Sequence, residues 1–270
     1  MRDVSFGQYY PTQSFVHKCD PRTKLLFLVA YIVLVFLAKN FYALGACALV
    51  LVISAVASRI PIKSLLRSVK AIVFLLAFTA LLNLFFYSGT TVIFSWWIIT
   101  LTKEAVYFTI FLAVRLFLLV LASSLLTLTT TPVSLTDGIE SLLAPLKWIR
   151  FPVHELALIM SIALRFIPIL TEETGRIMNA QKARGADFET GGLVKRVKAI
   201  VPVLIPLLIG AFRRADELGD AMDARCYSGS KMRTKYKKLV FSWRDVIALC
   251  LILALIAGIV LLRIFTIALI

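Results

Sequence analysis

Apolar residues come in long blocks along this chain. The runs 25–38 and 41–57 are separated only by Lys39 and Asn40. Together they exceed one crossing of a bilayer core of about 30 Å, so the pattern predicts a tight hairpin of two spans. A basic loop with Arg59, Pro61, Lys63, Arg67 and Lys70 follows, then a third span at about 69–87. A loop containing glycine and the interfacial aromatics Trp96 and Trp97 leads to a fourth span at 105–128, and a fifth covers about 246–262.

Between the fourth and fifth runs the pattern changes, with 18 Lys and Arg against 11 Asp and Glu from 129 to 244, interleaved with apolar blocks. Three helices are expected there. The first starts at a capping box of Ser134 and Asp137 and carries the stripe Ile139, Leu142, Leu143 and Leu146. The second opens at Pro152; its apolar part, Leu156 to Leu170, contains Arg165 and Pro168 and is short for a span, and it continues through Glu172, Glu173 and Arg176 to Arg184. After a turn with Gly191 and Gly192, the third has an apolar block, Ile200 to Phe212, interrupted by Pro202 and Pro206 and suited to burial against protein or to skimming a membrane. It turns polar at Arg213 and Arg214, which suit i,i+3 or i,i+4 pairs with the aspartates and glutamates at 216–223, and ends at Arg225. The expected fold class is an all-α integral membrane protein with five transmembrane helices and a cytoplasmic module of three coupling helices. Its parts are a leader at 1–24, spans at 25–128, the module at 129–241 and the last span within 242–270.

Composition supports a membrane protein: 60% of residues are hydrophobic and 17% charged, against about 25% charged in soluble domains. Mean hydropathy is +0.90. The net charge of +15 would suit a nucleic-acid binder, but the bases flank apolar runs, as positive-inside topology requires, so no nucleic-acid partner is expected. Four Lys and Arg precede the first span and four lie in the 58–70 loop, against Lys39 and Lys103 in the alternate loops. That asymmetry sets the N-terminus in the cytoplasm and the C-terminus outside. The polar first 24 residues contain no apolar core of a cleaved signal peptide. Cys19, Cys47, Cys226 and Cys250 have no C-x-x-C spacing, so neither a disulfide framework nor a metal site is expected.

The missing motifs narrow the function. No glycine is followed by lysine, which excludes the P-loop pattern, and His17 and His154 are the only histidines. No catalytic residues are assigned, and a membrane enzyme has no nucleophile-base pair to work with. A secondary transporter or channel acting alone is the alternative, disfavoured because the spans hold no acid. Arg115, near the middle of the fourth span, is either a functional group or one that snorkels or bonds to backbone carbonyls. For Arg165 the same two readings stand: a functional group, or one that only ties its helix to headgroups or to a neighbouring helix. In the leader, Asp20 is an N-cap and Pro21 a first-turn residue, with Arg22 and Lys24 at headgroup level.

Two triplets, Ala183-Arg184-Gly185 and Ala224-Arg225-Cys226, lie 41 residues apart, each at the end of a helix with an apolar body. A cation there complements the helix dipole in any case. The surrounding residues, MSIALRFIPILTEETGRIMNAQKARGADFETGGLVKR and AMDARCYSG, with the Asp20-Pro21-Arg22 entry motif, resemble the T component of energy-coupling-factor (ECF) importers over nearly the whole chain. Cys19 is a mild departure, standing where the family's entry motif has an apolar residue. The resemblance implies a non-catalytic subunit in the bacterial cell membrane. It implies that Arg184 and Arg225 each dock on one of two ATP-binding cassette ATPases, with the small Ala183, Gly185, Ala224 and Cys226 letting the tips enter a groove. It also implies that ATP and Mg are bound by those partners, with no cofactor in this chain. A small substrate-binding membrane protein, the S component, is the third partner, with several exchanging in the form that serves more than one vitamin, which the chain resembles most, or a single one in a form dedicated to cobalt, nickel or biotin. The fourth is the lipid bilayer.

Overall fold

The computed structural model describes residues 9–86, 91–96, 99–149, 151–188, 192–227, 229 and 240–268. Its elements are α1 (Pro21–Leu37), α2 (Phe41–Ser58), α3 (Ile62–Phe86), β1 (Val92–Trp96), β2 (Ile99–Thr102), α4 (Lys103–Thr129), α5 (Pro132–Leu142), a 3-10 turn (Ala144–Ile149), α6 (Val153–Ala183), α7 (Leu193–Ala224) and α8 (Trp243–Ala268). The chain forms two compact units, dividing after Leu142 and again ahead of α8.

The first unit is a helical bundle. Tyr31, Val35, Leu44 and Cys47 of the α1–α2 hairpin are buried against Phe111, Leu118 and Ala122 of α4 and Ile252, Leu255 and Ile259 of α8. The Tyr31 hydroxyl donates to the Cys47 carbonyl at 3.1 Å, so this buried phenol is satisfied within the core. A smaller cluster of Ile60, Leu65, Leu125 and Leu128 joins α3 to α4.

Helix starts are fixed by side chains that reach beyond their own element. The Asp20 carboxylate caps α1 by accepting from the Arg22 N–H at 2.9 Å. The Asp20 N–H in turn donates at 2.8 Å to Asp245, a fully buried carboxylate on α8. Asp245 also accepts from the Ser242 N–H at 2.7 Å, so one side chain closes the first turn of α8 and ties it to the start of α1. Lys24 donates to the carbonyls of His17 and Thr129 at 3.2 and 3.1 Å, which joins the leader to the end of α4.

Several expectations change locally. The stretch expected as a loop contains an antiparallel β-hairpin with Trp96 opposite Ile99, and Trp97 lies outside the described residues. Helix α5 is capped by Thr131, not Ser134: Thr131 Oγ1 accepts from the Ser134 N–H at 3.3 Å, because Pro132 already occupies the first helical position. The stripe continuing to Leu146 is broken, with the 3-10 turn starting at Ala144 beside Pro145, which lacks an N–H. Helix α5, expected in the second module, packs in the first unit. Gly138 permits this, since a Cβ there would stand 3.0 Å from Pro21 Cβ.

Among the described residues, α2, α4, α6 and the Trp243–Arg263 part of α8 are long and apolar enough to cross a membrane. This set differs from the five runs expected. Helix α1 has 17 residues, and in α3 the bases Lys63, Arg67 and Lys70 leave an apolar part of Ile72–Leu84. Helix α6 qualifies because it continues without a break through Pro168.

Candidate coupling site

The second unit is built on α6 and α7. Pro152 precedes α6 and Gly192 precedes α7; Pro168 lies inside the first helix and Pro202 and Pro206 inside the second. Half-buried or buried positions on α7 recur at Val203, Leu207, Gly210, Ala211, Arg214, Leu218 and Met222, a stripe of helical period. Its contacts fix the sense of the pairing. Glu173 of α6 meets Gly210 and Arg214, whereas the earlier Leu158, Ile162 and Arg165 share a cavity with the later Leu218 and Met222. The two helices therefore pair in an antiparallel sense, and their C-termini point away from each other.

The two C-termini have the same cap. At the end of α6, the Gly185 N–H donates to the Lys182 carbonyl and the Ala186 N–H to the Gln181 carbonyl, both at 3.0 Å. At the end of α7, the Cys226 N–H donates to Asp223 at 2.8 Å and the Tyr227 N–H to Met222 at 3.0 Å. These are Schellman motifs, in which a residue in left-handed conformation turns the chain back over the last carbonyls. Gly185 has φ 86° and Cys226 φ 55°. Arg184 and Arg225 hold the same C-cap position with near-identical backbone angles, φ −87°, ψ 10° and φ −93°, ψ 13°. Both arginines are exposed, as are Ala183, Gly185, Ala224 and Cys226, and the Cys226 thiol is free.

With its carbonyls turned inward by the cap, each tip presents a guanidinium whose five donors match a carboxylate bidentately. The Arg225 tip also borders a cavity of about 480 Å³ shared by Arg165, Phe166, Met222 and Tyr227. Arg165 thus joins Arg225 in one recess, a pairing that sequence separation conceals.

The remaining candidates belong to the first unit. Asp20, Pro21 and Arg22 form the entry of α1, with the Arg22 guanidinium 5.7 Å from the Phe241 ring centre. Arg115 donates to the Ala38 carbonyl at 2.5 Å and lies 4.6 Å from the Phe111 ring centre. It therefore closes an orphan carbonyl at the end of α1, one of the alternatives left open for an intramembrane arginine. Sequence reasoning passed over Asp245, whose value depends on Asp20, 225 residues earlier. It also paired Arg214 locally, whereas Arg214 reaches across to Glu173 at 2.5 Å.

Comparison with known proteins adds an independent line. The model of the CbiQ family, described as cobalt transport protein, matches residues 12–236. The chain is 49% identical over 247 residues to the energy-coupling factor transporter transmembrane protein EcfT of Ruminiclostridium cellulolyticum, covering 92% of each chain. It is 47% identical to that of Brevibacillus brevis, over 96% of this chain and 98% of the relative. It is also 47% identical to that of Bacillus subtilis, over 91% and 92%.

Proposed function

This chain belongs to the CbiQ family as the multi-pass transmembrane (T) component of an energy-coupling factor transporter, and we propose that it transmits the motion of two partner ATPases through Arg184 and Arg225 to a substrate-binding membrane subunit. The observation that carries this reading is the pair of matching Schellman caps, each displaying one arginine at an exposed tip. An acidic groove on each ATPase suits these tips, because arginine keeps its charge and forms charge-assisted bonds with carboxylates. ATP and Mg then belong to the ATPases, and this chain is a non-catalytic scaffold.

The surface for the third partner is drawn from α6 and α7. On α7, Ile200, Leu204, Ile205, Leu208, Ile209 and Phe212 are each at least half exposed, although the block is apolar nearly all round. A patch of this kind suits a membrane subunit or the bilayer. The charge asymmetry of the loops favours a cytoplasmic N-terminus. The cargo is a vitamin or other micronutrient held by the partner.

The test is uptake by the complete transporter in proteoliposomes. Arg184→Ala with Arg225→Ala is expected to leave insertion and fold intact and to abolish ATP-driven uptake, since truncating one partner of a desolvated charge pair costs about 2–5 kcal/mol. Ordinary uptake by the double variant would sink the coupling role.

A further inference from the structure

Where α6 and α7 meet, the Glu173 carboxylate and the Arg214 guanidinium form an ion pair of 2.5 Å, with both side chains about three-quarters buried. Gly210 lies beneath it: a Cβ there would stand 3.2 Å from Glu173 Oε1, so glycine leaves room for the carboxylate against the α7 backbone. The pair also has a regular place in the chain. Glu173 stands eleven residues before Arg184, and Arg214 eleven before Arg225. Eleven residues make three helical turns to within about 20°, over a rise of about 16 Å. Each arginine thus lies at the end of an arm of equal length, on nearly the same helical face as its own member of the ion pair.

From this geometry we infer that Glu173 and Arg214, seated on Gly210, are the pivot of the coupling hairpin, positioning residues that hold the crossing of α6 and α7 while their arginine tips are displaced. The inference rests on the coupling reading above. With arms of about 16 Å, turning the crossing by 10° moves each tip by about 3 Å. A crossing pinned by a buried polar pair turns about that pair as a unit. Without that pair the helices slide, and tip displacement no longer becomes rotation of their apolar faces. The neighbouring α7 stripe residues Leu207, Ala211 and Leu218 are uncharged, so among the described residues of that stripe Arg214 is the one that can set a polar register against α6.

The experiment measures substrate taken up per ATP hydrolysed by the complete transporter in proteoliposomes, together with the amount of ATPase that copurifies. Glu173→Gln removes the charge, whereas Gly210→Leu pushes the carboxylate away without changing it. Both are expected to retain the ATPases and to lower uptake per ATP about tenfold, within the range of ordinary coupling free energies. Exchanging the charges, Glu173→Arg with Arg214→Glu, is expected to restore the ratio to within about threefold. A wild-type ratio in Glu173→Gln and Gly210→Leu would overturn the pivot, as would loss of ATPase binding in both, which marks a purely structural role. If the Arg184 and Arg225 variants abolish uptake while these do not, the pivot falls alone; if the arginine variants keep uptake, the coupling reading falls first.

Discussion

Removing the Asp245 side chain isolates what one buried carboxylate does for the membrane bundle. Its two oxygens accept from the Asp20 N–H at 2.8 Å and the Ser242 N–H at 2.7 Å, and the residue is fully buried. In Asp245→Ala both donors lose their partner at once. Orphaning a donor that is buried, as at Asp20, or partly buried, as at Ser242, costs about 1–3 kcal/mol, so the sum is about 3–5 kcal/mol. For a chain of this length 1 kcal/mol lowers the melting temperature by roughly 2–4 °C, which gives a drop of about 6–20 °C in detergent. Asp245→Asn keeps the shape and one acceptor but turns an NH₂ toward the other donor, and is expected to lose roughly half as much. Thermal unfolding of the purified chain, followed by intrinsic fluorescence, reads both. A fall of less than about 2 °C in Asp245→Ala would mean that water reaches these N–H groups and that the joint between α1 and α8 is not what holds the leader in place.

Three further predictions follow from local geometry. At the caps, Gly185→Ala places a side chain at φ 86°, with nothing within 4 Å to clash, and is expected to weaken the α6 cap by about 1 kcal/mol; Cys226→Gly should strengthen the α7 cap by a similar amount, both read as hydrogen-exchange protection of the last helical turn. Arg115→Met leaves the Ala38 carbonyl open and is expected to lower stability by about 1–3 kcal/mol while uptake per ATP is unchanged; a selective loss of uptake would assign Arg115 a functional part instead. His17 bonds Ser14 Oγ at 2.7 Å and the Tyr10 carbonyl at 3.0 Å, an arrangement that suits the neutral ring with its proton on Nε2, and burial pushes its pKa below the ordinary 6.5. A base with a lowered folded pKa contributes fully above the unfolded value and loses that contribution as pH falls below about 6.5, so melting temperature should drop between pH 7.5 and 5.5, and by less in His17→Gln.

The readable features were those carried by a few consecutive residues. Asp20-Pro21 announces the start of α1, and the lengths of the apolar runs announce a helical membrane protein. Ala183-Arg184-Gly185 announces a helix end because glycine accepts a positive φ without strain. Cys226 was harder to read, since its left-handed cap is visible only through the bonds from Cys226 and Tyr227 back to Asp223 and Met222. Contacts across long separations were not readable. Arg214 has acids three and six residues ahead, yet it crosses to Glu173, because the α7 stripe that contains Arg214 also contains Gly210 and faces α6. The β-hairpin at 92–102 was hidden because its strands are only five and four residues long and its aromatics serve equally in an interfacial loop.

The cap geometry explains why arginine in particular suits these tips. A helix C-terminus carries the negative end of the macrodipole and so repels the acidic groove that a basic tip would enter. The Schellman bonds at Gln181, Lys182, Met222 and Asp223 turn the last carbonyls toward the returning chain. The long side chain of the C-cap residue then carries its charge several ångströms beyond the terminus, where, on the coupling reading proposed above, a partner carboxylate would meet the guanidinium and not the dipole. Lysine would reach as far, but as a single point charge it lacks the fork that fixes direction. Transmitting a displacement requires direction as well as attraction. Arg184→Lys with Arg225→Lys should therefore retain much of the ATPase binding and lose most of the uptake per ATP, and equal losses in the two measurements would refute the distinction.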